Sequence, residues 1–263
     1  MKYLGFLIFY LLFFVVLRSY SQTNETHKDF QAPLDIPLLL AGTFGELRSN
    51  HFHSGLDIKT QKKENFEVKA IGSGFVKRIK ISHGGFGKVL YIEHPNGYTS
   101  VYAHLKKFAP SIEAYVQKQQ YSQETYEIEL FPKPNALKIN KGEFIALSGN
   151  TGSSSGPHLH FEIRETLSQK PINPLLLGFD VADHQRPIIQ NLVGYPLSES
   201  SVINSLNTPI QLIFKKVNDS LYSADPVHAI GPIGFGINTI DRQDLAYNQN
   251  GIFKISTHLN GSL

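Results

Sequence analysis

Three features of the chain predict an all-β architecture, mainly an antiparallel β sandwich. Short runs rich in β-branched and aromatic residues follow one another from Pro37 onward, glycine-containing turns separate them, and helical periodicity is scarce. Hydrophobic residues make up 41% and charged residues 18% of the 263 positions, which is the composition of a folded chain rather than a disordered one.

The elements follow in order. Lys2, the unbroken apolar run Leu4–Leu17 and the small residues of Ser19-Tyr20-Ser21 have the layout of a cleavable secretory signal over residues 1–21. The run is short for a membrane span, although Arg18 keeps an uncleaved anchor open as the rival. An exported chain, in the periplasm or cell envelope, is therefore expected. Residues 22–36 are polar and read as the amino-terminal tail of the mature chain. Glu67–Ile71 and Phe75–Ile81 read as strands joined by Gly72-Ser73-Gly74. The glycine-rich turn His83-Gly84-Gly85-Phe86-Gly87 leads into a strand at Lys88–His94, and Pro95-Asn96-Gly97 is a tight-turn signal before a partner strand at Tyr98–Leu105. Glu143–Ser148 and His158–Ile163 read as a further strand pair.

One polar, aromatic stretch between Pro110 and Leu137 breaks this pattern. It reads as an insertion with a short helix near Ile112–Gln120, of a size often used as a wall or lid. A boundary falls near 173–187, so 37–180 is expected to form one domain with its insertion at 110–137. Residues 187–263 form a second β-rich domain without clustered titratable groups. The chain stops just past an Asn-Gly turn that ought to begin a return strand, so this second domain is expected to be incomplete.

Charge and cysteine content narrow the function. Losing residues 1–21 removes Lys2 and Arg18, and the formal balance falls from +3 (25 basic against 22 acidic) to +1 (23 against 22). Nothing there argues for nucleic acid as a partner. There is no cysteine, which excludes disulfides, thiol nucleophiles and thiolate metal sites. Any metal must be held by histidine and carboxylate.

Most of the eleven histidines are read as ordinary polar residues: His27, His184, His228 and His258, and with less contrast His51, His83 and His94. Two clusters differ. Around His53-Ser54-Gly55-Leu56-Asp57 a histidine and an aspartate stand four apart, on one face if extended, with Gly55 able to bend the chain between them. In His158-Leu159-His160-Phe161-Glu162-Ile163 the period of a strand puts His158, His160 and Glu162 on one face and three apolar side chains on the other. Two imidazoles on a face backed by solid apolar packing need a partner, and a metal with three nitrogen and oxygen ligands plus one open position is an obvious one. Alternation from Tyr98 places His104 with Tyr102 on the more polar face of its strand. The spacing offers five candidates, more than a zinc ion needs, and leaves open which of them bind it.

The stretches HSGLD, YAHL and SGNTGSSSGPHLHFEIR, in this order and followed by Asn173-Pro174-Leu175, resemble the lysostaphin-type (LytM-like) zinc endopeptidases over about 42–175. The resemblance implies a sandwich of the duplicated-hybrid-motif kind with a cleft across one sheet. It implies zinc at His53, Asp57 and His160, with His104 and His158 as the catalytic pair that handles protons. No His-Glu-x-x-His is present, so the helix-borne type of zinc site is excluded. The activity implied is hydrolysis of peptidoglycan stem or cross-link peptides, specifically D,D bonds. A non-catalytic wall-binding or hydrolase-activating member of the same fold is the alternative, and residues 187–263 are a possible contact for a wall or envelope protein. Two further readings stay open. The low-bulk loop Ser148–Pro157 is either a place where a peptide backbone approaches closely or a plain turn, and Tyr98 and Tyr102 either line the cleft or pack.

Overall fold

The computed structural model of the chain describes residues 30–260. The expected signal at 1–21, residues 22–29 of the expected tail and residues 261–263 lie outside the described residues. Strands β1 (Leu40–Gly42), β2 (Leu56–Lys59), β3 (Glu67–Lys69), β4 (Gly74–Ile81), β5 (Lys88–Glu93), β6 (Tyr98–Ala103) and β7 (Leu105–Phe108) come first. Helix α1 (Pro110–Gln123) follows, then β8 (Ile128–Leu130), β9 (Lys138–Ile139), β10 (Phe144–Ser148), β11 (His158–Glu165) and β12 (Pro171–Ile172).

Nine of these strands form one antiparallel sheet in the order β1-β2-β11-β6-β5-β4-β8, with β12 on β11 and β9 on β4. The remaining three form a smaller sheet, β3-β10-β7. The mostly antiparallel β class read from the sequence is the observed one. One hydrophobic cluster joins the two sheets. The large sheet contributes Leu56, Ile58, Ile79, Leu90, Tyr102 and Phe161, and the small one Val68, Leu105, Phe108 and Ile145, all at most 2% exposed. Each such side chain contributes about 1.5–3 kcal/mol on burial.

The period of two governs the strand that matters most. On β11, Leu159, Phe161 and Ile163 are fully buried in this core, so His160 and Glu162 must stand on the opposite face. The β5–β6 hairpin forms at the expected turn, with Glu93 opposite Thr99 and Gly97 at φ 85°. Helix α1 begins at Pro110, whose fixed φ and missing N–H suit the first helical position. It ends where Glu124 turns left-handed, and it buries Ile112 and Val116 in the core. It is longer at both ends than the helix expected at Ile112–Gln120. Among the described residues no helix is long and apolar enough to cross a membrane.

Three readings are corrected and one open alternative is decided. The strands at Glu143–Ser148 and His158–Ile163 do not pair: β10 lies between β3 and β7 in the small sheet, β11 between β2 and β6 in the large one, and only the bridge Gly149–His158 links them. The loop between them crosses from one sheet to the other. Next, residues 30–36 do not behave as a polar tail. Leu34 is 2% exposed, Phe30 packs on the core, and the backbone of Gln31 donates to Ile71 O. The open alternative for Tyr98 and Tyr102 is decided for packing: Tyr102 is fully buried and its hydroxyl accepts from the Ile71 N–H at 3.0 Å, and Tyr98 also packs on the core.

The third correction concerns His104. Strict alternation would put it on the side of Tyr102, which is the core side, since Phe161 faces Tyr102 and His160 faces Ala103 in the register. Instead the strand breaks between β6 and β7, and His104 adopts φ 57°. That left-handed conformation costs a non-glycine residue roughly 1–2 kcal/mol. It turns the imidazole back to the face that carries His160.

The later part of the chain is also β. Strand β13 (Ile188–Pro196) is followed by β14 (Val202–Ile203), β15 (Ile210–Gln211), β16 (Phe214–Asn218), β17 (Leu221–Ala224), β18 (Ala229–Ile230) and β19 (Ile233–Ile240). They make the sheet β15-β13-β19 and the pairs β14-β18 and β16-β17. Residues after β19 hold the edge of the large sheet. Leu40 N–H donates to Gln243 Oε1 at 2.8 Å, Asn248 Nδ2 to Leu40 O at 3.0 Å, and Gly251 N–H to Glu46 Oε1 at 2.9 Å.

Candidate metal centre

The centre lies on the outer face of the large sheet, where β2 and β11 run side by side. Asp57 and His160 are direct partners in that register. Gly55 makes the approach possible, because a Cβ there would stand 2.3 Å from Phe161 O. The loop before β2 then brings in His53. The three ligand-type atoms converge: His53 Nε2 is 3.1 Å from Asp57 Oδ1 and 3.1 Å from His160 Nδ1, and His160 Nδ1 is 2.9 Å from Asp57 Oδ1.

Each ring is fixed by its other nitrogen. His53 Nδ1–H donates to the Thr43 carbonyl at 2.8 Å, and His160 Nε2–H donates to Glu162 Oε1 at 3.0 Å. A carbonyl oxygen can only accept, which sets the His53 tautomer and leaves Nε2 with its lone pair toward the common point. Glu162 is fully buried, and its second oxygen accepts from Arg164 Nε at 2.6 Å, with Ser54 Oγ donating to the first. This is the outer-shell arrangement that orients metal-binding imidazoles. The second oxygen of Asp57 accepts from Arg48 at 3.1 Å.

His104 and His158 stand beside this trio. Their ring centroids are 4.8 Å apart, and His104 lies 5.9 Å from the His160 ring. His104 Nδ1–H donates to Thr151 O, and His158 Nδ1–H to Gly156 O, each at 2.8 Å. His158 Nε2 is 3.4 Å from Asp57 Oδ1. Both rings thus keep Nε2 free of their backbone anchors. Phe86 covers one side of His160 at 4.9 Å between centroids.

Charge is concentrated here. Burial works against the ionised Asp57, yet hydrogen bonds from His158, His160 and His53 hold its carboxyl far below the usual range. Burial also opposes ionisation of Glu162, but His160 and Arg164 bring it to about 2. Burial opposes a proton on His160, while Asp57 and Glu162 raise it to about 9. For His104 burial dominates, and its pKa falls to about 4. The two buried carboxylates therefore favour positive charge at the centre, and burial keeps His104 neutral beside it.

The residues fit a divalent metal. Ligand atoms with arms of about 2.0–2.1 Å around a tetrahedral ion lie roughly 3.3 Å apart, close to the separations of 2.9–3.1 Å found here. Among the described residues this is the single group of three or more such side chains that could hold an ion. The remaining described histidines lie elsewhere. His51 is exposed against Asn50, His83 pairs with Glu127, His184 pairs with Asp244, and His94 is buried between Ser73 O and Ser100 Oγ.

Strand alternation from His158 puts Glu162 on the metal face without giving it a role, and no local pattern points to Arg48 or Thr43. The signal for Glu162 was the third alternate position after His158 and His160. For Arg48 and Thr43 the sequence offered none, because they act through a loop that folds back on β2. The loop Ser148–Pro157 approaches the protein's own backbone: a Cβ on Gly152 would meet Gly87 N at 2.3 Å and Gly85 O at 2.4 Å.

An antiparallel sheet that carries a His-Asp-His donor set, with two more tautomer-locked imidazoles alongside, has the make-up of a metal-binding β protein. Residues 51–121 and 134–174 match Peptidase family M23, so this part of the chain is similar to that LytM-like family. The match omits 122–133, inside the insertion expected at 110–137. An uncharacterized metalloprotease of Haemophilus influenzae is 32% identical over 166 residues, 60% of this chain and 29% of that protein. The peptidoglycan DD-endopeptidase ShyA of Vibrio cholerae is 31% identical over 115 residues, 44% of this chain and 21% of that one. A crystallised zinc-containing peptidase from Vibrio cholerae is 24% identical, covering 59% of this chain and 41% of that chain with a TM-score of 0.42. The chain thus spans less than a third of the length of these two curated relatives.

Proposed function

We propose that the chain is an exported zinc endopeptidase that hydrolyses stem or cross-link peptides of bacterial peptidoglycan. The observation that carries this reading is the meeting of His53, Asp57 and His160 within 3.1 Å of one another, with His104 and His158 alongside. Likeness to a peptidoglycan DD-endopeptidase supports the substrate class and the D,D bond. The donor set of two imidazoles and one carboxylate, without thiolate, favours zinc.

His53 Nε2, Asp57 Oδ1 and His160 Nδ1 are the proposed ligands. When bound there, zinc supplies Lewis-acid polarisation of the scissile carbonyl and lowers the pKa of water to about 7. The chain's own groups do the rest. His104, neutral at pH 7 and locked by Thr151 O, offers Nε2 as a proton acceptor. His158, locked by Gly156 O, stands at the mouth beside Asp57 and hands a proton to the leaving amine. Glu162 keeps His160 in register, and Phe86 shields that ring from water. In this reading 37–180 is the peptidase unit, with 187–263 a β-rich positioning module and a contact for envelope proteins.

Digestion of purified peptidoglycan by the full chain tests the proposal, with product masses identifying the bond. New peptide termini that vanish with chelator and return with zinc support it. Intact peptidoglycan under zinc-replete conditions overturns it.

A further inference from the structure

Beside the metal centre, a cavity of about 520 Å³ opens along the β2 edge of the sheet. Asp57 and His158 line it and also belong to the centre, so a group held in this cavity and a bond held at the centre can belong to one ligand. Its other charged walls are all cationic: Arg48, Lys59 and Lys62. Asp57 is the single acid in the lining, and three imidazoles and Arg48 already engage it.

These cations are set up to meet an anion. Lys59 Nζ is tethered by the neutral amide of Asn248, and among the described residues neither Lys59 nor Lys62 has an ion pair. Arg48 bridges Glu46 and Asp57 through one terminal nitrogen, while its Nε–H is buried without an acceptor. Such an unmet buried donor is uncommon in a folded protein. The turn that carries Lys62 is also unusual. Gln61 and Lys62 both have positive φ, 54° and 59°, and Thr60 closes the turn through Oγ1 to Lys63 O. L residues rarely adopt that region, so the fold holds this basic turn at the cavity against its local preference.

We infer that this cavity is a subsite for a carboxylate carried by the peptide substrate next to the scissile bond. The inference rests on the peptidase reading above and adds to it a substrate feature, an anionic residue at the cut. Exposed lysines supply modest attraction, so discrimination of about five- to ten-fold between a carboxylate and its neutral amide is the expected scale.

Binding to the metal-free full chain tests this without any turnover. N-acetyl-D-alanyl-D-alanine and its carboxy-terminal amide serve as probes, followed by NMR titration in low salt. The expected result is about five- to ten-fold tighter binding of the acid, lost in K59Q/K62Q while the amide binds as before, and weakened by added salt. Equal affinity for acid and amide overturns the subsite, as does no detectable binding of either or an unchanged preference in the double variant. Inorganic phosphate binding as tightly as the acid overturns it too, by making the cavity a general anion patch. The outcome separates from the peptidase reading. A chain that prefers the acid but leaves peptidoglycan intact keeps the subsite and loses the hydrolase, and one that cuts peptidoglycan without this preference does the reverse.

Discussion

Glu162 Oε1 lies 3.0 Å from His160 Nε2, and the carboxylate is fully buried with Arg164 on its other oxygen. A buried carboxylate that accepts from both neighbours fixes the ring and keeps its far nitrogen aimed at Asp57. Glutamine has the same shape but only one acceptor oxygen, so in E162Q either His160 or Arg164 loses its partner. Metal affinity measured by chelator competition is expected to fall about 10–100-fold, with the fold retained by circular dichroism. An unchanged affinity would remove the orienting role.

The proposed ligands and the proposed proton carriers separate experimentally. H160A is expected to lose both metal and activity. H104A and H158A are expected to keep stoichiometric metal while kcat falls about 10²–10⁴-fold. Metal content by mass spectrometry alongside turnover decides. Loss of metal from H104A, or full activity of either variant, would sink the assignment.

Gly152 sits at φ 76°, and a Cβ there would collide with backbone atoms of Gly85 and Gly87. The adjacent Thr151 carbonyl holds His104. G152A must therefore push the loop off the glycine turn and shift that carbonyl. Stability is expected to drop by about 1–3 kcal/mol, with a fall in kcat larger than any change in KM. A variant as active and as stable as the parent contradicts this contact.

His94 gives the fold a pH dependence away from the metal centre. Burial lowers its pKa below the ordinary value of 6.5, with the bond to Ser73 O opposing in part. The unfolded chain then binds more protons than the folded one below pH 6.5, so stability is complete above that value and is lost as pH falls through the folded pKa. Melting temperatures between pH 7.5 and 5 should decline in the parent and decline less steeply in H94Q. Parallel curves would show that His94 contributes nothing.

Much of the site was legible because local periodicity carried it. On β11, alternation between imidazole and apolar side chains follows from strand geometry alone, and the burial of Leu159, Phe161 and Ile163 is its consequence. The Pro95-Asn96-Gly97 turn likewise states its own hairpin. Where the reading failed, the deciding term was long-range. Nothing local says that β10 joins the small sheet while β11 joins the large one, or that Leu34 is held on the core by partners far along the chain.

His104 shows the limit most clearly. Alternation sent it to the side of Tyr102, which is the interior, and the left-handed backbone at φ 57° returns it to the side of His160. That local cost is offset only because Phe86 O takes its N–H and Thr151 O takes its ring, and both partners lie on other segments. Residue order alone is enough to specify the mostly β class, the apolar backing of β11 and the kinds of side chain available to hold a metal. Which of those side chains meet is settled in the folded chain, because a 3 Å convergence depends on register between strands and on backbone acceptors that no local pattern encodes.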